Sequence, residues 1–324
     1  MAKRLKIGVF MGGPSVEHEV SLATGVQIMA NLNPDKYSVV AVKISKSGRW
    51  MANGRYENHL KIFKMIDLAF LALHGEVGED GRMQGLLDFH GVPYTGSGRG
   101  PSALAMDKLH SREIFKLAGI STPKTLHLKK GENNSSLVKF FTSKVVKLPV
   151  FVKPRFLGSS VGVYLVDTEK KLFTALESVF KLDKDALIEE YIKGTEVACG
   201  VLENFSKQKH FVLPLTQIQP VRAKFFDYKA KYQQGASKEI TPAPVDAGRY
   251  KKAQSVALLA HQLLGCRSYS RSDMILRNGA VYLLEVNTLP GLTPTSLFPQ
   301  QAVAAGLSFP QLLDKIIENA NSNF

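Results

Sequence analysis

The sequence predicts an α/β fold with more than one domain. The chain opens with an apolar run, residues 5–11, which ends in a Gly-Gly-Pro-Ser turn and leads into a helical pattern of apolar residues. Strand and helix patterns also alternate in the last third of the chain, up to residue 309. A length of 324 residues is long for one hydrophobic core, so we expect two or three domains.

The first third of the chain reads as one α/β layer. Residues 38–44 and 67–73 have the apolar composition of buried strands, and Ser15 is a plausible N-cap for the first helix. The layer ends with residues 92–95, which precede a glycine-rich loop at 96–100. We expect the first domain to close at this loop.

Further elements follow in order along the chain. One helix is predicted over residues 102–118, and strands are predicted over residues 150–153 and 161–166. The chain closes with a predicted terminal helix from Pro310. No internal repeat interrupts this order, so a repeat architecture is excluded.

Composition narrows the class of protein. Hydrophobic residues make up 44% and charged residues 22% of the chain, as in ordinary globular proteins. Cys199 and Cys266 are the only cysteines, so no disulfide framework is implied and a reducing compartment fits. The apolar run near the N-terminus is too short for a signal peptide, and no later segment is long enough to span a membrane. We expect a cytoplasmic protein without a membrane partner.

The net charge of +14 leaves several partners open. Such a charge is compatible with binding to nucleic acid or to an anionic small molecule, and it can also serve only to keep the protein soluble. Lysine and arginine are spread along the chain without long basic blocks, which disfavours a dedicated nucleic-acid arm. We therefore expect no nucleic-acid partner.

Three polar residues stand out in the segment 271–291. Asp273, Glu285 and Asn287 interrupt an otherwise apolar hairpin pattern. Burying an ionised carboxylate costs several kcal/mol unless a positive charge compensates it, and hard oxygen ligands of this kind suit Mg²⁺. The alternative is a solvated strand face, which the hairpin alone does not exclude.

The strand register tests whether the two acids can share a metal ion. A two-residue turn at Asn278 and Gly279 would place Asp273 opposite Leu284 and point Asp273 and Glu285 to opposite faces. A three-residue loop over residues 278–280 places Asp273 opposite Glu285. We predict that loop, or a five-residue loop or a bulge with the same parity.

Other segments carry weaker signals. Lys153 ends an apolar strand before a loop with Gly158 and Gly162 that could wrap a phosphate, although an ordinary β-turn is the favoured interpretation of this segment taken alone. The segment 187–196 could seat an adenine or could be an exposed strand connection. The lysine-rich and aromatic stretch 224–235 fits either a lid or a surface for single-stranded nucleic acid, and its proline-rich exit favours a structured loop.

Together and in order, these motifs resemble those of D-alanine–D-alanine ligases of the ATP-grasp superfamily. The resemblance covers residues 5–309. It rests on Gly12-Gly13-Pro14-Ser15-Val16-Glu17-His18-Glu19-Val20-Ser21-Leu22, Leu73-His74-Gly75 with Gly78-Glu79-Asp80-Gly81, Met106-Asp107-Lys108, Gly158-Ser159-Ser160-Val161-Gly162, Lys231-Tyr232 and Glu285-Val286-Asn287-Thr288-Leu289-Pro290-Gly291.

The resemblance implies a three-domain ATP-grasp fold. A Rossmann-like α/β domain would occupy residues 1–99, an α+β central domain residues 100–194, and a catalytic domain residues 195–324. It also implies the reaction. ATP would phosphorylate the carboxylate of one D-alanine, and the amine of a second would attack the acyl phosphate to give D-alanyl-D-alanine, ADP and phosphate for peptidoglycan synthesis.

The resemblance also assigns residues to roles. Two Mg²⁺ ions, replaceable by Mn²⁺, would bind Asp273, Glu285 and Asn287. The substrate site would include His74, Gly291, Ser296 and Leu297, of which Ser296 and Leu297 match the part that receives the carboxylate of the second D-alanine. Catalysis would fall to Glu17, Ser159, Lys231, Tyr232 and Arg271. ATP would contact Lys108, Lys153, Ser160, Glu189, Tyr191, Ile192 and Glu196, with Glu189 on the adenine side.

Two further expectations come from the family. A homodimer is expected, with D-alanine and ATP as the small-molecule partners. A related ligase that uses D-lactate as second substrate is the alternative, and Tyr232 favours an amine acceptor because depsipeptide-forming relatives usually lack a tyrosine after that lysine.

Overall fold

The computed structural model describes residues 4–132, 135–220 and 237–321. Within these ranges the chain forms fifteen strands in three sheets, together with ten α-helices. The predicted α/β class is therefore confirmed.

The first sheet is the α/β layer predicted at the N-terminus. Its strand order is β4-β3-β2-β1-β5, and β1 is parallel to both β2 and β5. The parallel strands are apolar over most of their length because helices and neighbouring elements cover both faces. Its elements are β1 (Leu5–Gly12), α1 (His18–Asn31), β2 (Tyr37–Ile44), β3 (Trp50–Ala52), β4 (Arg55–Tyr56), α2 (His59–Met65), β5 (Leu68–Leu71) and α3 (Arg82–Phe89).

The start of α1 differs from the prediction. Ser15 is not the N-cap, because the helix begins at His18 and Glu17 occupies the cap position. The Ser15 hydroxyl instead accepts a hydrogen bond from the Glu17 amide at 3.1 Å. This local turn delays the start of the helix by two residues, and the Glu17 side chain is buried.

The second sheet is antiparallel, with the order β6-β9-β7-β8. Helix α7 packs against it and closes a small separate core. Two helices precede the sheet in sequence. The elements of this part of the chain are α4 (Arg99–Met106), α5 (Lys108–Leu117), β6 (Thr125–Lys129), α6 (Ser135–Phe140) with a π-helical turn (Phe141–Val145), β7 (Val150–Pro154), β8 (Tyr164–Val166), α7 (Glu169–Val179) and β9 (Asp185–Glu190).

Two predicted elements are shorter here than the sequence suggested. The single helix over 102–118 is wrong, because extended backbone at Asp107 separates α4 from α5. The Asp107 carboxylate caps α5 by accepting from the amides of Leu109 and His110. The strand predicted from residue 161 begins only at Tyr164, since the glycine-rich loop extends to that point.

The third sheet is also antiparallel, with the order β13-β12-β10-β14-β15, and β11 pairs with the far part of β10. The terminal helix α10 begins one residue before the predicted Pro310. The elements are β10 (Thr195–Phe205), β11 (Gln208–Val212), β12 (Thr216–Pro220), β13 (Ser237–Ile240), α8 (Ala247–Leu263), β14 (Tyr269–Arg277), β15 (Ala280–Asn287), α9 (Leu297–Ala304) and α10 (Phe309–Asn321).

The hydrophobic cores join segments that are distant in sequence. Leu313 and Ile316 of α10 share a core with Ile7 of the first sheet. Phe115 of α5 shares another core with Met274 of the third sheet. The domain boundaries at residues 99 and 194 remain predictions. Among the helices of the described ranges, none combines the length and the apolar character needed to cross a membrane.

The turn of the β14–β15 hairpin differs from the predicted loop. Arg277 pairs with Ala280, so the turn contains two residues and the predicted three-residue loop is wrong. The register shifts between Asp273 and Met274, because Met274 pairs with Leu283 whereas Asp273 pairs with Glu285. Leu284 is therefore the extra residue of a β-bulge. The predicted alternative, a bulge with the same parity, is therefore confirmed, and it places the two acids opposite each other.

Candidate active site

A cavity of about 400 Å³ lies between the second and third sheets. Its walls come from β7 and β9 on one side and from β10, β12, β14 and β15 on the other. The residues predicted to contact ATP all line this cavity, and they are Lys108, Lys153, Ser160, Glu189, Tyr191, Ile192 and Glu196. Asp273 and Glu285 line its floor as well, so the predicted metal ligands and the predicted nucleotide site share one space.

Glu189 lies in the cavity wall as part of a buried ion cluster. Its carboxylate accepts a hydrogen bond from Arg112 and lies 2.8 Å from Lys153 Nζ. Burial alone would raise the pKa of Glu189, but Arg112 and Lys153 together hold it below its ordinary value. Both carboxylate oxygens thus face protein cations, and Glu189 positions Lys153.

Lys153 is the cation whose charge is most affected by its surroundings. Burial lowers its pKa to about 8, and the neighbouring Arg112 and Lys108 act in the same direction against the opposing effect of Glu189. An ammonium group in such a site gains from an anionic ligand, which replaces the lost hydration. Lys108 adds a second cation, whose Nζ donates to the Leu157 carbonyl at 2.6 Å and lies 4.0 Å from Glu285 Oε2.

The glycine-rich loop after β7 connects this cavity to the first sheet. Ser159 and Ser160 both adopt left-handed backbone with φ of 49° and 59°, which costs of order 1 kcal/mol or more for a non-glycine residue. The Ser159 hydroxyl donates a hydrogen bond to the Glu17 carboxylate. A Cβ at Gly75 would come within 2.6 Å of Glu17 Oε2, so glycine there allows the close approach of this carboxylate.

A second cavity of about 90 Å³ adjoins the first, and Gly158 lines both. The residues predicted for substrate binding line it together with several predicted catalytic residues. They are Glu17, His74, Ser159, Arg271, Gly291, Ser296 and Leu297, with Asn287 at the same wall. A volume of this size matches a small amino acid rather than a nucleotide.

His74 and Glu79 form the buried side of the small cavity. Burial lowers the pKa of His74, so the imidazole is neutral near pH 7, and its Nε2 lies 2.9 Å from Thr24 Oγ1. Burial, together with the nearby Glu17, raises the pKa of Glu79 to about 8. Glu79 accepts from the amides of Gly75 and Leu289 at 2.8 and 3.3 Å, and it thereby ties the 73–81 turn to the segment after β15.

Arg271, Asp273 and Asn287 meet where the two cavities join. Arg271 donates two hydrogen bonds to Asp273, at 2.7 and 2.8 Å. Asn287 pairs with Arg271 across the strands, and its Nδ2 donates to Asp273 Oδ2 at 3.2 Å. The bidentate pair holds the guanidinium in one orientation at the rim of the small cavity.

The donor set of the hairpin fits a hard divalent cation. Asp273 and Glu285 stand opposite each other, and Asn287 lies two residues further on the same strand, so three oxygen-bearing side chains share one face. Carboxylate and amide oxygens are the ligands that Mg²⁺ prefers in proteins. Asp273 Oδ1 accepts one hydrogen bond and retains a second lone pair, whereas Oδ2 accepts two, so contact with Arg271 does not exclude a metal ion at Oδ1.

Two predicted catalytic residues lie outside the described residues. Lys231 and Tyr232 belong to the segment 221–236, which also contains the whole of the predicted lid stretch 224–235. Glu239, which follows this segment on β13, lines the small cavity.

Sequence reasoning missed two residues of the site. Arg112 is fully buried and donates hydrogen bonds to Glu189 and to the Leu284 carbonyl. It lies one helical turn after Lys108, on the same face of α5, and this spacing could have indicated it from the sequence. Glu79 belongs to a motif that the sequence singled out, but its high pKa depends on burial, which the motif does not reveal.

Comparison with known proteins gives consistent matches over the whole chain. The family model described as D-ala D-ala ligase C-terminus matches residues 114–318. The model described as D-ala D-ala ligase N-terminus matches residues 6–64 and 52–97. A protein named D-alanine–D-alanine ligase from Leptospira interrogans is 39% identical, over 97% of each chain. One of the same name from Syntrophobacter fumaroxidans is 41% identical over 98% of each chain.

Solved structures agree with this likeness. The D-alanine–D-alanine ligase of Bacillus anthracis complexed with ATP superposes with a TM-score of 0.81 at 36% identity, over 98% of each chain. The VanG D-Ala:D-Ser ligase of Enterococcus faecalis gives 0.84 at 33% identity, over 98% of this chain and all of its own. The D-alanine–D-alanine ligase of Coxiella burnetii gives 0.85 at 27% identity, over 99% of this chain and 95% of its own. The predicted ATP-grasp fold is confirmed.

Proposed function

Because the chain belongs to the D-alanine–D-alanine ligase family, we propose that it joins two D-alanine molecules into D-alanyl-D-alanine at the expense of ATP. One observation of the structure supports the proposal independently of family membership. A cavity with buried lysines meets a cavity of amino-acid size at a common edge formed by Gly158 and the carboxylate-bearing hairpin. In that arrangement a phosphate of a bound nucleotide would lie next to the carboxylate of a small substrate.

The larger cavity supplies the charges that ATP needs. Lys108 and Lys153 would hold the phosphates, and the Ser160 loop would cover them. Tyr191, Ile192 and Glu196 lie along the segment between β9 and β10, where the adenine and ribose would bind. Glu189 supports this arrangement indirectly, because its pair with Lys153 keeps that ammonium at the cavity wall.

Asp273, Glu285 and Asn287 would hold two Mg²⁺ ions, and Mn²⁺ could replace them. The ions neutralise phosphate charge and orient the phosphoryl groups when they are bound. The protein side chains orient these ligands in turn, since Arg271 and Asn287 both donate to Asp273. Asp273 and Glu285 line the same cavity as Lys153, and Asn287 lines the adjoining small cavity.

The two amino acids would bind at the small cavity, which would have to widen to admit both because its volume of about 90 Å³ matches a single small amino acid. Glu17 would pair with the ammonium of the first D-alanine, and Ser159 fixes the orientation of that carboxylate through its hydrogen bond. The carboxylate of this D-alanine would take the γ-phosphoryl group of ATP and become an acyl phosphate. Lys231 and Tyr232 are proposed from the sequence motif to approach the γ-phosphate and to close the site.

The second D-alanine would bind through its carboxylate near Ser296 and Leu297, with neutral His74 in the same cavity. Its amine attacks the acyl phosphate, and the tetrahedral intermediate then expels phosphate to leave the peptide bond. Arg271 and the backbone at Gly291 would stabilise the oxyanion. Because Asp273 fixes the guanidinium by two hydrogen bonds, little reorganisation accompanies this step.

The proposal extends to the biology of the protein. The product would serve peptidoglycan synthesis, and a cytoplasmic homodimer is proposed from the family. The domain boundaries at residues 99 and 194 are part of the same proposal.

The test is phosphate release with ATP, Mg²⁺ and D-alanine, compared with L-alanine under the same conditions. We expect release that depends strictly on the D-isomer and one dipeptide per phosphate. D-serine and D-lactate offered beside D-alanine identify the acceptor. Equal turnover with L-alanine, or phosphate release without dipeptide, would overturn the proposal.

A further inference from the structure

A second group of metal-ligand side chains lies on the third sheet, apart from the residues of the candidate active site. Glu203 comes from the end of β10, His210 from β11, and His261 from the last turn of α8. One ligand atom from each of the three side chains lies within 4.8 Å of the other two. We propose that these three residues form a Zn²⁺ site that clamps the β10–β11 hairpin to the end of α8.

The distances favour a shared cation over hydrogen bonds. Glu203 Oε1 lies 3.4 Å from His210 Nδ1 and 3.5 Å from His261 Nε2. An N–H···O hydrogen bond to a carboxylate would shorten these contacts to about 2.7–2.9 Å. Ligands at about 2.0–2.1 Å from a tetrahedral zinc ion lie roughly 3.3–3.4 Å from one another, which matches both contacts.

The two imidazole nitrogens that face Glu203 are also buried, and they make no hydrogen bond within the described residues. Within the described part of the chain, neither His210 Nδ1 nor His261 Nε2 has a hydrogen-bond partner, and His261 is fully buried. Buried polar atoms are normally satisfied in native proteins, so two such atoms aimed at the same carboxylate oxygen require an explanation. A cation between them would satisfy all three atoms.

The surrounding hydrogen bonds have the pattern of a metal site. His261 Nδ1 lies 2.7 Å from Ser270 Oγ, which leaves Nε2 as the nitrogen that faces Glu203. The other oxygen of Glu203 accepts from the Ser268 amide at 2.7 Å, which leaves Oε1 for the ion. Second partners of this kind orient histidine and carboxylate ligands in metalloproteins.

The ligand types select the metal. Imidazole nitrogens with one carboxylate suit Zn²⁺, whereas Mg²⁺ prefers oxygen ligands and retains its waters. The site is therefore chemically distinct from the proposed Mg²⁺ site, where all three side chains offer oxygen. Three protein ligands also leave a fourth position open, which water can fill.

The position suggests a stabilising role. Asn319 of α10 donates to the Glu203 carbonyl at 2.9 Å, so the same strand end also contacts the terminal helix. An ion at Glu203 would join β10, β11 and α8 beside this contact. Because only the folded chain brings the ligands together, Zn²⁺ binding is coupled to stability.

The experiment uses the full chain without a histidine tag, stripped with a chelator and kept in excess Mg²⁺. Zn²⁺ binding is measured by competition with a chromophoric chelator, and Co²⁺ substitution is followed by visible absorption. The wild type should bind one Zn²⁺ that H210Q and H261Q lose. The exposed control H90Q should retain it, and Ser270→Ala should weaken binding about 10- to 100-fold.

His210 is only partly buried, so H210Q is expected to fold even where H261Q does not. Zn²⁺ should raise the Tm of the wild type and of H90Q but not of H210Q, and Co²⁺ in the wild type should show tetrahedral absorption bands. The same Zn²⁺ stoichiometry and affinity in H210Q as in the wild type would overturn the proposal. So would a wild type that binds no Zn²⁺ in excess Mg²⁺.

Discussion

The Ser159 hydroxyl donates a hydrogen bond to the Glu17 carboxylate, although the two residues lie 142 positions apart. The contact joins the start of α1 to the glycine-rich loop after β7, and the small cavity lies beside it. Glu17 is buried, so the orientation of its carboxylate depends on the few groups that touch it. The proposed ammonium site therefore requires two parts of the chain.

Removing this hydroxyl should weaken the first D-alanine site. A hydrogen bond to a charged group contributes about 1.5–3 kcal/mol, so Ser159→Ala should lower kcat/KM for D-alanine roughly 10- to 150-fold. The KM for ATP should change little, because the hydroxyl points to the small cavity. Initial rates with each substrate varied in turn measure both constants. A selective loss of ATP affinity would place Ser159 at the nucleotide instead.

The lowered pKa of Lys153 predicts a pH dependence of ATP capture. Burial places this pKa at about 8, and only the protonated ammonium attracts phosphate. The kcat/KM for ATP, measured at saturating D-alanine, should therefore be highest below pH 8 and fall about tenfold per pH unit well above it. In Lys153→Arg the guanidinium remains charged at high pH, so the residual activity should lack this fall. An unchanged basic limb in that variant would assign the titration to another group.

The hairpin ligands should be essential for turnover. Glu285→Ala and Asn287→Ala should each lower kcat roughly 1000-fold, about 4 kcal/mol of transition-state stabilisation, because the Mg²⁺ ions would lose an oxygen ligand. Glu113→Ala is a matched control, since that carboxylate is 56% exposed on α5 and pairs only with Lys116 among the contacts described for it. Wild-type activity in either hairpin variant would contradict the metal assignment.

The parts of this site that follow from local pattern were predictable. The apolar run of β1, the strands around Lys153 and the hairpin around Asp273 were all recognisable because buried strands leave a plain signature in sequence. The parity argument also required Asp273 to face Glu285, which the structure confirms.

The means by which the chain achieves these placements were less predictable. A two-residue turn at Asn278 and Gly279 matches the ordinary hairpin preference, and the bulge at Leu284 then corrects the register. No local propensity marks Leu284 as the bulged residue. The Arg112 hydrogen bond to the Leu284 carbonyl shows that long-range contacts support it.

Burial is the other quantity that sequence patterns do not give. Asp107 separates two helices and caps the second, and its carboxylate also accepts hydrogen bonds from Arg155 at 2.6 and 2.8 Å, a residue 48 positions away in sequence. Glu79 looked like one acid in a polar turn, yet it is enclosed beside Glu17. Such features depend on packing between sheets.

The raised pKa of Glu79 predicts a pH dependence of stability. The folded pKa of about 8 exceeds the ordinary value of 4.5, so the folded state retains a proton that the unfolded state loses. The free energy of unfolding should therefore decline as the pH rises from about 4.5 to 8, by up to ~1.4 kcal/mol per pH unit from this group. Urea unfolding of the wild type and Glu79→Gln between pH 5 and 8.5 should show a smaller slope in the variant. Parallel slopes would show that Glu79 does not hold a proton.

Tyr232 tests the choice of acceptor. Tyr232→Phe should loosen the preference for an amine over a hydroxyl acceptor and leave ATP binding largely intact. Competition between D-alanine and D-lactate, with the products separated by mass, measures the preference. A loss of ATP affinity without a change of acceptor preference would assign Tyr232 to the nucleotide.

The most direct measurement follows the carboxylate oxygens of D-alanine. The enzyme is incubated with ATP, Mg²⁺ and D-alanine labelled with ¹⁸O in its carboxylate, and the dipeptide and phosphate are analysed by mass spectrometry. An acyl phosphate transfers one carboxylate oxygen to phosphate, so we predict one labelled phosphate for each D-alanyl-D-alanine formed. Label in AMP, unlabelled phosphate beside the dipeptide, or an absence of dipeptide would contradict the proposed ligase reaction.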